Sequence, residues 1–228
     1  MYKKETVSII LPAFNEGKTI SNFICEIKKL NFFDEIIAVD NASTDNTKKE
    51  ILKNDVTYLF EERKGFGATV KRGLISSSTD IIFICEPDGS FDVKDFFKMI
   101  ELSNEYDAIF TSRTECINKY YLKYGNILYA KFISLIFKGP VLSDVGSSLR
   151  LLRSKDLKKF IKNLNSDGPE LQMELNINIM NLNVKIKELP IRYYQRIGKS
   201  NYTGNFFSSL KVALKFTKIV LLKFFNLI

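Results

Sequence analysis

The chain has 228 residues, 45% of them hydrophobic and 13% aromatic, enough to bury roughly 70% of its unfolded surface in one large domain with little appended. Lys and Arg (34) outnumber Asp and Glu (26) for a formal charge of +8, which favours anionic partners such as nucleotides or phospholipid surfaces without choosing among them. Histidine is absent, which excludes a Ser-His-Asp triad, a histidine base and mixed Cys/His zinc sites and leaves acid-base chemistry to carboxylates.

Cys25, Cys85 and Cys116 share no CxxC or metal-ligand spacing and read as reduced thiols in a cytoplasmic setting. No segment shows low complexity or a fixed-period repeat. Met1 is followed by Tyr-Lys-Lys-Glu and then by a strand-like run, without the apolar core of a signal peptide, so the catalytic part is expected on the cytoplasmic side.

In chain order, Val7 to Leu11 reads as a buried strand closed by Pro12, and Gly17 to Leu30 as a helix with Ile20, Phe23, Ile24 and Ile27 on one face. Glu35 to Val39 is a second strand ending at Asp40; the polar loop from Asn41 to Asn46 then leads into a helix through about Leu52. Val56 to Phe60 is a strand, Gly65 to Ser77 a helix, and Ile81 to Cys85 a strand stopping at Glu86-Pro87-Asp88-Gly89. This alternation predicts an α/β fold with a mostly parallel sheet covered by helices on both faces, and ligands beyond the carboxyl ends of the strands.

Later elements are less regular. Strands are expected at Ala108 to Thr111, Ser147 to Leu152 and Val184 to Leu189, with helices at about Lys119 to Phe137, Lys155 to Ile161 and Glu170 to Met180. From Asn205 to the end, Phe and Leu alternate with four lysines, and Lys211, Lys215 and Lys218 share a face; this predicts an amphipathic helix at a membrane interface rather than a transmembrane span. The division expected is a catalytic domain over residues 1–204 and this helix over 205–228.

Glu86-Pro87-Asp88 sets two carboxylates one residue apart at the ligand edge, which suits Mg²⁺ or Mn²⁺ held jointly with substrate phosphates; a solvated Pro-Gly turn is the plain alternative. Gly65-Phe66-Gly67 opens a helix whose free amides suit an anion, although a tight helix start explains the glycines equally well. Gly17-Lys18-Thr19 is not a P-loop, since Pro12 stands where the first glycine belongs. Arg192, Arg196 and Lys199 among Tyr193, Tyr194 and Tyr202 form a basic segment able to meet phosphate, or a solvated loop.

Taken in order, Pro12-Ala13-Phe14-Asn15-Glu16, Asp40-Asn41-Ala42-Ser43, Gly65-Phe66-Gly67 and Glu86-Pro87-Asp88 resemble family 2 glycosyltransferases of the GT-A fold, a Rossmann-like nucleotide-binding architecture. Ser112-Arg113, Asp144-Val145-Gly146-Ser147-Ser148 and Leu189-Pro190-Ile191-Arg192 through Ser200 are similar to the polyprenyl-phosphate branch, typified by dolichol-phosphate mannose synthase. The resemblance implies an inverting, metal-dependent hexosyltransferase using a nucleotide-diphosphate sugar, of GDP-mannose or UDP-glucose type, and a polyprenyl monophosphate acceptor. A family member extending a glycan at a sugar hydroxyl is the alternative.

By the same resemblance, Pro12, Glu16 and Asp40 line the nucleoside pocket, Glu86 and Asp88 match the metal motif with Ser90 at a third ligand position, and Arg196 matches a diphosphate contact. Arg113 and Lys123 face the acceptor phosphate, with Asp144 nearby. Two positions depart from the family pattern: Asn41 stands where a second Asp is usual, and Glu86 replaces the first Asp of the metal motif. Partners expected are the sugar nucleotide, the lipid phosphate and the inner face of the membrane; no nucleic-acid-binding signature is found.

Overall fold

The structure, a computed structural model, describes residues 5–114, 120–137, 139–140, 142–197, 206–225 and 227, with side chains for all of these except 120–125 and 206–208. Cys116, Lys199, Ser200 and Tyr202, the side chain of Lys123 and the proposed helix start at Lys119 lie outside this description.

Strand β1 (Val7–Ala13) is buried along its whole length, because helices cover both faces of the sheet at its centre. Its parallel neighbours are β2 (Glu35–Asp40) and β4 (Ile81–Ile84). Strand β3 (Thr57–Phe60) extends the sheet beyond β2, and β5 (Ala108–Arg113), β6 (Arg150–Arg153) and β7 (Ile186–Ile191) complete the order β3-β2-β1-β4-β6-β5-β7. The chain builds outward from β1 through β2 to β3, then returns to β4 on the other side of β1. That reversal opens a crevice at the carboxyl ends of β1 and β4, where a ligand is received in such sheets.

The alternation of side chains along each strand feeds two cores. Val7, Ile9 and Leu11, with Ile36, Ala38, Ile81 and Phe83, face α1 (Ile20–Lys29) and α4 (Lys94–Leu102). Ile10, Ile37, Val39, Ile82 and Ile84 face α3 (Phe66–Ser76) and α7 (Leu171–Met180) on the other side. Helix α1 buries Ile20, Phe23, Ile24 and Ile27, the stripe its spacing predicts, and Lys28 and Lys29 sit in its last turn, where the helix dipole favours positive charge.

Three features differ from the sequence expectation. Helix α4, absent from that expectation, buries Phe96 and Met99, an i, i+3 pair in a segment that also carries Phe97, Ile100 and Leu102. Strand β6 runs antiparallel to both β4 and β5, and a short buried run carries no signal of its direction. The helix expected at Lys155 to Ile161 is a single turn, α6 (Ser154–Leu157), followed by a 3-10 turn (Ile161–Asn163). The remaining helices are α2 (Thr47–Leu52), α5 (Tyr120–Ile136) and α8 (Phe206–Phe224).

Helix α8 presents two apolar faces. Phe216, Ile219 and Val220 join the core beside α7, whereas Leu210, Leu214, Leu221 and Phe224 are exposed. The Tyr129 hydroxyl of α5 donates to Thr217 Oγ1 of α8 at 3.2 Å, and Leu128, Phe132 and Leu135 are exposed at i, i+4 and i+7 on α5. No described helix is long and apolar enough to cross a membrane.

Phe83 in β4 is fully buried among the rings of Phe33 at 5.3 Å, Phe96 at 5.6 Å and Phe32 at 6.2 Å. Phe83→Ala is expected to cost about 3–5 kcal/mol of stability, read as a lower urea midpoint with unchanged m.

Candidate active site

The loop after β1 is knitted to the loop after β2. Asn15 adopts the left-handed region at φ 58°, donates its N–H to Ser43 Oγ at 3.0 Å and accepts from the Thr44 N–H at 2.8 Å. The Glu16 N–H donates to Thr47 Oγ1 at 2.8 Å. These bonds fix the turn that carries the Glu16 carboxylate into the crevice.

Asp40, at the end of β2, accepts from the Ser43 N–H at 3.0 Å and from the Tyr58 hydroxyl at 3.3 Å. Asn41 reaches across instead: its Oδ1 accepts from the Gly65 N–H at 2.7 Å, and its Nδ2 donates to the carbonyls of Glu61 at 3.0 Å and Arg63 at 2.7 Å. Only an amide can both accept and donate in this way, so Asn41 pins the start of α3 to the end of β2. Gly65 has φ 134°, and a Cβ there would lie 2.1 Å from the Asp167 carbonyl oxygen, so no other residue fits.

Beyond β4, Asp88 is buried and its Oδ1 accepts both the backbone N–H (3.0 Å) and the hydroxyl of Ser90. The chain after β7 runs beside this turn, with the Ile197 N–H donating to the Asp88 carbonyl at 2.9 Å and the Tyr194 N–H to the Ser90 carbonyl at 2.9 Å. Arg196 is thereby delivered between two carboxylates: Nη2 lies 2.7 Å from Glu16 Oε1 and Nε 3.6 Å from Asp88 Oδ2. The buried Nε has no hydrogen-bond partner.

Pro12, Ala13, Glu16, Asn41, Phe66, Glu86 and Arg196, with neighbouring residues, enclose about 200 Å³ of open cleft. Burial pushes the Glu16 carboxyl up to about 7; Arg196 opposes this, and the charges of Asp88 and Glu86 add to it. Glu86 is likewise raised, by burial and then by Asp88, while a hydrogen bond from Ser148 and the charges of Arg196 and Arg113 work against the rise.

A second charged cluster lies at the carboxyl end of β5. Arg113 and Asp144 pair through Nε–Oδ2 at 2.5 Å and Nη2–Oδ1 at 2.9 Å. Asn126 of α5 donates to Oδ1 at 2.7 Å and the Gly146 N–H at 3.0 Å. Burial alone would raise Asp144; the Arg113 charge and these hydrogen bonds outweigh it and hold the carboxyl below the usual range. Every favourable acceptor direction on Asp144 is thus occupied, and it orients Arg113, whose guanidinium also lies 5.4 Å from the Tyr193 ring centroid.

A family model described as Glycosyl transferase family 2 matches residues 8–161. The chain belongs to glycosyltransferase family 2. It is 29% identical over 224 residues to an uncharacterized protein of Methanocaldococcus jannaschii, covering 93% of this chain and 91% of that one. It is also 26% identical over 208 residues to the low-salt glycan biosynthesis hexosyltransferase Agl6 of Haloferax volcanii, covering 86% of this chain but 49% of Agl6, about half its length. The glucosyl-3-phosphoglycerate synthase of Mycobacterium tuberculosis shares the fold with TM-score 0.72 at 16% identity, covering 97% of this chain and 80% of that one. That protein was crystallised with Mn²⁺, UDP and glucosyl-3-phosphoglycerate. The fold is therefore GT-A-like, and this family 2 glycosyltransferase transfers sugar from a nucleotide sugar.

Of the residues singled out from sequence, Pro12, Glu16, Glu86 and Arg196 stand on one cleft wall, with Asp88 against Arg196. Asp40 sits one residue behind the wall, and Asn41 takes the place on it. Ser90 spends its hydroxyl on Asp88, which makes it a support for that carboxylate. Arg113 and Asp144 meet each other within the electrostatic reach of Glu86. Asn126 was not foreseen, and Ser148, part of the Asp144-to-Ser148 motif, was not expected to hold Glu86; their contacts join separate elements.

Among the described residues no cluster of three or more acidic or thiol groups could cage a metal alone. The site still fits a hard divalent cation: the donors are carboxylate oxygens, Glu86 is raised by burial and by Asp88, and Asp88 Oδ2 lies 3.6 Å from Arg196 Nε.

Asp144→Asn removes a charge from a buried pair and is expected to cost about 3–5 kcal/mol near neutral pH. Because the folded carboxyl lies below its unfolded value of 3.8, this stabilisation is complete above about pH 4 and fades as pH falls through the folded value. Urea titrations from pH 7 to pH 2.5 should show the gap between variant and native protein closing at the acid end.

Proposed function

We propose that this enzyme transfers a hexose, with inversion, from a nucleotide-diphosphate sugar to a polyprenyl monophosphate, using Mg²⁺ or Mn²⁺. The observation that carries the acceptor class is the saturated Asp144 beside Arg113. A sugar hydroxyl needs a base to take its proton, and the carboxylate nearest the acceptor side is depressed and fully bonded. A phosphomonoester, with a second pKa near 6, is already ionised at neutral pH and needs only a cationic seat. Arg113 offers that seat, fixed by Asp144 and the Tyr193 ring.

On the donor side, Asn41 and the amides at the start of α3 form a wall for the nucleoside and its phosphates. Arg196 meets the diphosphate and neutralises charge as the bond from the anomeric carbon to the diphosphate oxygen breaks. Asp88, held by Ser90, and Glu86, held by Ser148, are the residues that would hold the metal. The bound ion would supply Lewis-acid stabilisation of the leaving diphosphate. An acceptor phosphate oxygen attacks the anomeric carbon from the opposite face, and the nucleoside diphosphate leaves with the bonding pair.

The metal and sugar-nucleotide assignment is supported by the Mn²⁺ and UDP held by the structural neighbour. A lipid acceptor is supported by the exposed apolar residues of α5 and α8, set among Lys131, Lys211 and Lys218 on the outer surface, a composition suited to the cytoplasmic membrane face. The glycan-biosynthesis relative favours a second reading, transfer to a glycan hydroxyl.

A donor screen with UDP-glucose and GDP-mannose, offering undecaprenyl monophosphate against an oligosaccharide, decides between them: sugar on the lipid phosphate is expected, and sugar on the oligosaccharide alone overturns the acceptor assignment. In the same assay Asp88→Ala should lose at least about 100-fold of metal-dependent turnover, whereas Asp144→Asn, assayed where it is folded, should keep measurable transfer. Anionic vesicles should float the native chain and not the Leu214→Glu/Phe224→Glu variant, whose substitutions lie on the exposed side of α8.

A further inference from the structure

Glu174 lies in the first turn of α7 with none of its surface exposed. Its carboxylate accepts the N–H groups of Asn165 (3.0 Å) and Ser166 (2.9 Å), and Lys223 of α8 stands 3.5 Å away, its side chain only 8% exposed. One turn earlier, Glu170 faces Lys215 of α8 at 3.4 Å and accepts the Gly168 N–H at 3.3 Å. Two carboxylates of α7 thus hold α8 on one side and the backbone of residues 165–168 on the other.

That loop is the outer support of the donor cleft. The Asp167 carbonyl accepts the Ala68 N–H at 3.0 Å, and the Asp167 carboxylate pairs with Lys71 of α3 at 2.7 Å. Lys71 also donates to the Leu164 carbonyl at 3.3 Å. A Cβ on Gly67 would lie 2.4 Å from the Ser166 carbonyl oxygen, so loop and helix start touch backbone to backbone. On the far side of this contact, Lys64, Gly65, Phe66 and Thr69 form the cleft wall.

We propose that Glu174 and Lys223 are positioning residues for the sugar nucleotide: through them, the seating of α8 sets the position of the α3 start and hence donor affinity. The inference rests on the donor-site reading above. A buried ion pair is seldom retained for stability, since apolar replacements of similar volume do as well; what it fixes is register. Here the register fixed is that of a loop whose carbonyls pack against Gly65 and Gly67. The face of α8 opposite Lys223 and Phe216 is the exposed apolar one, so any surface that draws on α8 acts on the donor wall through the same contacts.

The full chain and its Lys223→Met, Lys223→Arg and Ile219→Ala variants are compared. Calorimetry with UDP-glucose or GDP-mannose and Mn²⁺, at a temperature where all are folded, should show Lys223→Met raising donor Kd by about fivefold or more, in the range of ordinary coupling between sites. Lys223→Arg should restore Kd to within about twofold of native. Ile219→Ala, which loosens the same helix without touching the ion pair, should lower Tm and leave Kd unchanged. A native-like Kd in Lys223→Met, or an equal rise in Ile219→Ala, overturns the proposal.

Failure of the native chain to bind either nucleotide overturns the donor-site reading instead. Hydrogen exchange then tests the positioning independently of any ligand. Lys223→Met should speed exchange at Asn165, Ser166 and Ala68 by about tenfold or more relative to the amides of α1, and unchanged rates there overturn the proposal. Should Lys223→Met not fold, Lys215→Met, at a half-exposed position, carries the same comparison with a smaller expected rise; no rise in Kd and no faster exchange overturn the proposal.

Discussion

Three carboxylates crowd around the Arg196 guanidinium, with Arg113 acting on one of them from the side. Glu16, Glu86 and Asp88 converge at the carboxyl ends of β1 and β4, and Arg196 is the cation placed among them, bonded to Glu16 and close to Asp88. Arg113 is already paired with Asp144, so Arg196 is left with more negative charge than it can balance at depth. Burial raises Glu16 to about 7 and raises Glu86, and the neighbouring carboxylates add to both rises. A cleft in this state favours further positive charge beside a bound anion.

The fold exists to bring those charges together without letting them relax apart. Glu16 leaves β1, and Glu86 and Asp88 leave β4, so the first comes from one central strand of the sheet and the others from the strand hydrogen-bonded beside it. Side chains such as Ile9, Ile10, Phe83 and Ile84 lock that pair of strands from both faces. Arg196 comes from the far edge, carried by a segment that hydrogen-bonds the Asp88 turn twice. The strands supply rigidity, and the loops supply charge.

What was legible in the sequence follows from how local each signal is. Strands β1, β2 and β4 are mostly apolar runs, with β1 continuing one residue past Pro12 and the others ending at or just before Asp40 and Glu86, and α1 shows a clean stripe, so periodicity and turn residues located them. The carboxylates sat at strand ends for the same reason. Strand β6, by contrast, pairs antiparallel with β4 and β5 in the registers Ile81–Arg153 and Ala108–Leu152, contacts set only by the tertiary placement of the chain, and nothing in Arg150–Arg153 states that direction.

 The pairing of Arg113 with Asp144 was equally hidden, since the two stand on separate elements, and only their shared acceptor-side role suggested proximity. Asn41 could be seen as a departure from the family pattern, but its hold on Gly65, Glu61 and Arg63 could not.

Helix α8 shows why composition alone assigns a helix no partner. Its sequence is apolar on more than one side, with lysines between, and such a pattern fits an interface helix and a packed helix equally well. The structure divides these uses by side: Phe216, Ile219 and Val220 enter the core, Lys223 reaches the buried Glu174, and Leu214, Leu221 and Phe224 remain outside. Because α8 also meets Tyr129 of α5, and α5 supplies Asn126 to Asp144, one helix touches the supports of both halves of the cleft. A helix so placed is a structural member of the site, while its outward residues Leu214, Leu221 and Phe224 stay exposed.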